Sequence, residues 1–113
     1  MQISFKSKKL EKSLTESKEI SKTYGVMAKK VNQRMKELYA ASTLSVIKTI
    51  PAANCHKLSG ERSSEIAVDI SGNWRIVFEP NHNPVPLLAD GGWDWNSITQ
   101  IKILEVTDYH KKV

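Results

Sequence analysis

Two histidines, an acid, a phenol and several cations recur in three short stretches of this chain. They are His56-Lys57-Leu58-Ser59-Gly60-Glu61-Arg62, then Asn73-Trp74-Arg75-Ile76-Val77-Phe78, and last Asp108-Tyr109-His110. Such a set suits a phosphodiester and its proton transfers. RNA is cut without a metal when the 2′-hydroxyl loses a proton as it attacks phosphorus, the leaving 5′-oxygen gains one, and cations hold the crowded phosphate. Histidine, with an ordinary pKa of about 6.5, keeps both protonation states populated near neutrality. His56 and His110 are therefore the candidate proton-transfer pair, and the residues do not fix which is base and which is acid. Arg75 offers a planar fork for phosphate, Lys57 a mobile point charge, and Arg62 a weaker second fork.

Each of these residues also has a plainer reading. Arg75 can pair with Asp69 across a hairpin, an exposed contact worth a few tenths to about 1 kcal/mol. Arg62 fits an ordinary surface position. Tyr109 can stack on an unpaired base or sit half-buried in a core. Asp108 can orient a histidine or accept backbone hydrogen bonds. Cys55 precedes His56, but neighbours on a strand face opposite sides, which argues against a thiol-imidazole nucleophile. His56, His82, His110 and Cys55 lack a metal-ligand spacing, so neither a metal nor another cofactor is expected.

The elements that must position these residues follow from hydrophobic spacing. A short strand is expected around Ile3-Ser4-Phe5, followed by a helix from position 8. Ile20, Tyr24, Met27, Val31, Met35 and Leu38 then recur at intervals of three or four, the stripe of an amphipathic helix. The pattern predicts two helices in a hairpin, with one break between positions 14 and 25. A shorter helical turn around 43–48 stops before Pro51.

The period then changes to two. Ile66, Val68 and Ile70 alternate with smaller or polar residues, as do Trp74, Ile76 and Phe78, and Ser71-Gly72-Asn73 reads as a tight hairpin turn between them. Ile101, Ile103, Leu104 and Val106 put apolar groups on both faces of a last strand, which places that strand inside the sheet. Residues 80–97, with Pro84, Pro86, Gly91 and Gly92, form a long loop carrying Trp93 and Trp95. Those tryptophans suit a partner-binding patch or a loop folded back on its own core.

The expected fold is α+β: an N-terminal strand and a helical hairpin packed on one face of a small, mainly antiparallel sheet. Its other face is left to a ligand, with Arg75 on it because Trp74, Ile76 and Phe78 point to the helices. The 113 residues are expected to form one domain, 1–113, without repeats or linkers.

Net charge is +5, and it is uneven: residues 1–36 hold ten Lys or Arg against Glu11, Glu16 and Glu19. That asymmetry suits a polyanion such as nucleic acid, or equally a solvated pair of lysine-rich helix faces. With Cys55 the sole cysteine and no long apolar run, the expectation is a reducing, cytoplasmic setting with no membrane.

Basic helices, a His-x-Leu-x-Gly-x-Arg segment, a hairpin ending in Trp-Arg-Ile-x-Phe and a terminal Asp-Tyr-His, in that order, resemble the HigB-like branch of the RelE/ParE toxin superfamily. The likeness covers the chain, with its motifs concentrated in residues 54–110. It implies a small α+β toxin of a type II toxin-antitoxin system, acting as a ribosome-dependent messenger RNA endonuclease and neutralised by a cognate helix-turn-helix antitoxin. It implies His56, Lys57, Asp108, Tyr109 and His110 as the active-site members, with Arg62 and Arg75 as phosphate contacts. The chain departs from the pattern at Ser59, where the family often carries lysine, and at Ser63-Ser64, where a glycine is common. A gyrase-directed toxin of the same fold and a non-catalytic basic RNA-binding module are the alternatives.

Overall fold

A computed structural model describes residues 1–108, so Tyr109 and His110 lie outside the described residues. Strand β1 (Gln2–Phe5) opens the chain and leads into helix α1 (Lys8–Thr15). The Ser7 hydroxyl starts that helix by accepting from the Leu10 backbone N–H at 3.1 Å, which satisfies one of the otherwise unpaired first-turn donors. Helices α2 (Ser17–Tyr24) and α3 (Ala28–Ala40) follow, then the single turn α4 (Leu44–Ile47).

Three helices stand where two were expected. One break falls at Glu16, which is extended, and a second at Gly25, whose φ of 53° stops α2 before a 3₁₀ turn over Gly25–Met27. The second break escapes periodicity because Ile20, Tyr24, Met27 and Val31 keep helical spacing straight through it.

Strands β2 (His56–Lys57), β3 (Ile66–Ser71), β4 (Trp74–Pro80) and β5 (Gln100–Asp108) complete a five-stranded mixed sheet in the order β1-β5-β4-β3-β2. Strand β5 is interior, as its apolar content required: it pairs parallel with β1 and antiparallel with β4. Its apolar residues on both faces have a local cause. Val77 opposes Glu105 while Phe78 opposes Ile103, so Leu104 is the extra residue of a bulge.

The helices cover one face. Ile66, Val68, Ile70, Ile76, Phe78, Ile101 and Ile103 from the sheet bury against Leu14, Ile20, Val31, Met35, Leu38, Leu44 and Ile47. Arg34 is buried with them at 6% exposure. Its Nε donates to the Asp69 carbonyl at 2.6 Å, Nη2 to the Ala52 carbonyl at 3.0 Å and Nη1 to Glu37 at 3.0 Å. It pins α3 to β3 and to the 3₁₀ turn ahead of β2. It is thus a structural cation, three residues from Val31 and four from Leu38 on the inward stripe, and not part of the basic surface.

Candidate functional site

Residues opposite one another in register share a face, which fixes the open side of the sheet. One row across it runs His56, Ala67, Val77, Glu105, and the next runs Asp69, Arg75, Thr107. His56 and Glu105 stand three strand spacings apart, about 14 Å. Arg75 is on this face as its alternation predicts. Beneath the first row, Leu58 folds over Ala67 and Val77 to make a second, small apolar cluster.

Asn54 positions His56. It takes a left-handed conformation, φ 44°, and its carbonyl oxygen lies 2.7 Å from His56 Nδ1. A carbonyl only accepts, so Nδ1 carries a proton, and Nε2 is the nitrogen that bears the lone pair in the neutral ring. The imidazole is half-buried at the sheet's edge strand.

Both arginines on this face are engaged by carboxylates. Arg62 donates through Nε and Nη2 to Glu65 Oε1, at 2.9 and 2.5 Å, and through Nη2 to Glu105. Those bonds, Glu65's first, hold its pKa above the usual arginine value. Arg75 Nε donates to Asp69 Oδ1 at 3.1 Å, while Asn54 donates to the other oxygen of the same carboxylate at 3.1 Å. Asp69 therefore ties β4's arginine, the turn that holds His56, and, through its carbonyl, Arg34. In this cluster two guanidinium groups face three carboxylates.

The remaining predicted residues go elsewhere. Lys57 pairs in register with Ile66, a core residue, so it lies on the helical side; its Nζ sits 4.1 Å from the Trp93 ring centre. Asp108 is opposite Trp74, which packs against the helical core, and so occupies that same side at the sheet's end. Cys55 also packs toward the core, and burial pushes its thiol up to about 12, which leaves it protonated and a poor nucleophile beside His56. His82 is a loop fastener: its Nε2 accepts from the backbone of Thr99 and Gln100. Among the described residues no group of three or more His, Cys, Asp and Glu could hold a metal ion.

Sequence reasoning missed Glu65 and Glu105, the partners of Arg62. The i,i+3 spacing from Arg62 signalled the first. Nothing local signalled the second, which arrives from 43 residues away.

The charge distribution sharpens the picture. Every lysine among residues 1–36 is exposed, on β1's exit or on the helices, and Lys6 and Lys9 share a groove with Glu105 of the open face. This groove, of about 530 Å³, lies between α1, α2 and the outer edge of β5, with Lys9, Leu10, Thr23, Glu105 and Val106 in its walls, and so borders the carboxylate that holds Arg62. Beyond Ile103 that edge has no β1 partner, because β1 has ended.

This architecture has a counterpart among solved structures. The YoeB/ParE toxin from Agrobacterium tumefaciens superposes with a TM-score of 0.54 over 96% of this chain and 99% of its own, at 12% sequence identity. The chain has the fold of a YoeB/ParE toxin. No family model matches it, and no curated protein does so either. The likeness is thus one of fold, which supports the α+β expectation in full and leaves the HigB-like branch to the motifs alone. Among the described residues no helix is long and apolar enough to cross a membrane.

Proposed function

We propose that this chain is the toxin of a type II toxin-antitoxin pair and cleaves messenger RNA on the ribosome. The observation that carries this reading is His56, its Nδ1 fixed by the Asn54 carbonyl, on a sheet face that also holds Arg62 and Arg75, in a fold shared with a YoeB/ParE toxin.

In the proposed reaction one imidazole takes the 2′-hydroxyl proton as the oxygen attacks phosphorus, and a second donor protonates the departing 5′-oxygen. His56, whose Nδ1 is committed to the Asn54 carbonyl so that Nε2 is left to exchange the proton, takes the base role, which leaves His110 as the proposed acid. Arg62 and Arg75 hold the phosphate after exchanging their carboxylates for it. That exchange is feasible because such partly exposed pairs contribute only a few tenths to about 1 kcal/mol. Tyr109 stacks on a base beside the cut, while Lys57 and Asp108, on the helical side of the sheet, take no part in the proton transfers. A cognate antitoxin of helix-turn-helix type silences the protein. The edge of β5 beyond the end of β1, beside the α1/α2 groove, is the place where a segment of such a partner would extend the sheet.

The test uses purified protein, ribosomes and a defined message, with 5′ ends mapped after incubation. Wild type yields discrete cuts, and His56→Ala and His110→Ala lose them at least a hundredfold while keeping the circular dichroism spectrum. Undiminished cutting by both variants rejects the assignment. One observation favours a second reading: the arginines are already neutralised, which suits a gyrase-directed or otherwise non-catalytic toxin that docks through protein contacts. Growth arrest without any mapped cut would select it.

A further inference from the structure

The long loop is a built surface. Leu87 and Trp93 form a β-bridge, Leu88 N–H donates to the Gly92 carbonyl at 2.7 Å, and Asp94 N–H donates to the Pro86 carbonyl at 2.9 Å. The tip is closed by Asp90, whose carboxylate accepts from Gly92 N–H at 2.8 Å, and Gly91 takes a φ of 91° that disfavours side chains. This scaffold sets Trp93 and Trp95 with ring centres 6.1 Å apart and planes 47° apart, each partly buried against the core.

A lysine lies over each ring. Lys57 Nζ is 4.1 Å from the Trp93 centre and Lys48 Nζ is 4.3 Å from that of Trp95, and both lysines are exposed. The ring faces under them are therefore reached from solvent once the lysines swing aside. A base stacked on an aromatic side chain contributes more than an exposed cation-π contact, and the displaced ammonium gains a phosphate. The exchange therefore favours a nucleotide.

We propose that Trp93, Trp95, Lys48 and Lys57 form a stacking platform for single-stranded RNA, separate from the cleavage face and joined to it through β2. The platform rests on the RNA-directed reading above and adds a second contact to it. Lys57 and His56 are consecutive residues of one edge strand, facing opposite sides. An RNA strand crossing that edge meets Nε2 of His56 on one side and the Lys57-Trp93 pair on the other. Single-stranded RNA fits better than an apolar protein surface because each ring comes with its own cation, the pairing that a base and its phosphate require. Its recognition is indifferent to base identity, since every base has a flat face.

Binding of a 12-nucleotide oligouridine, read by quenching of tryptophan fluorescence across a salt series, tests the platform without ribosomes. Trp95→Ala is expected to weaken binding fivefold to a hundredfold, the equivalent of one lost stack. The doubly substituted Lys48→Ala/Lys57→Ala protein, which leaves the loop's backbone bonds alone, is expected to lower the slope of log affinity against log salt by about 1.4. Lys18→Ala/Lys22→Ala, on α2, removes the same charge and leaves the slope nearer the wild-type value. Equal losses in the two double variants, or none in Lys48→Ala/Lys57→Ala, overturn the platform. So does a concentration-dependent dimer in sedimentation that these lysine substitutions abolish while oligouridine binding persists. Ribosomal cleavage measured in parallel keeps the two ideas apart. A protein that binds through the platform yet cuts nothing refutes the nuclease reading alone, and one that cuts but binds indifferently to the substitutions refutes the platform alone.

Discussion

The two faces of this sheet carry the same strands and opposite physics. On the helical side, Ile66, Val68, Ile70, Ile76, Phe78, Ile101 and Ile103 are buried by helices α1 to α4, and the outer surfaces of the first three carry exposed lysines. On the other side, among the described residues, Leu58 packs on Ala67 and Val77 beside a polar set: Arg62 with Glu65 and Glu105, Arg75 with Asp69, and His56 at the rim. Stability is concentrated in the first face and chemistry in the second. The positive charge that would attract nucleic acid sits mainly with the stable face, while the candidate acid-base residue sits on the neutralised one.

That division has measurable consequences. Phe78→Ala removes a fully buried ring from the helical face and should cost about 3–5 kcal/mol in urea unfolding. Arg34→Ala should cost about 3 kcal/mol, since it strands the carbonyls of Asp69 and Ala52 and leaves Glu37 without its cation. Leu58→Ala, on the open side, should cost about 2 kcal/mol by the same measurement, the low end for a buried leucine, because among the described residues its cluster has two other buried members. A Leu58→Ala loss equal to that of Phe78→Ala would erase the distinction between the faces. The smallest stability change, under about 1 kcal/mol, is expected for Glu105→Gln, whose ion pair is partly exposed. Its value lies in function: by releasing part of the Arg62 guanidinium it should raise affinity for sulfate or oligouridine severalfold, measured by titration calorimetry. Unchanged affinity would remove Arg62 from the phosphate contacts.

Much of the fold was legible because it rests on short-range patterns. Alternation at Ile66-Val68-Ile70 and at Trp74-Ile76-Phe78 set both strands and their turn, and the apolar content of Ile101 to Val106 set β5 inside the sheet. Arg75's side of the sheet followed from the same alternation. The second helix break did not, because a left-handed Gly25 and a 3₁₀ turn leave the three-to-four spacing intact. Arg34 was read with the lysines because charge alone does not say whether carbonyls from distant segments wait to receive it.

The sequence by itself determined the α+β class, the strand that carries Arg75 and the basic bias of the first third, since period, turn chemistry and charge are properties of neighbouring residues. Only the tertiary structure decided which carboxylates meet which guanidiniums. It also put Lys57 and His56 on opposite sides of one strand and turned two loop tryptophans beneath lysines. Those pairings join residues as far as 47 positions apart along the chain, and their energies depend on distance in space.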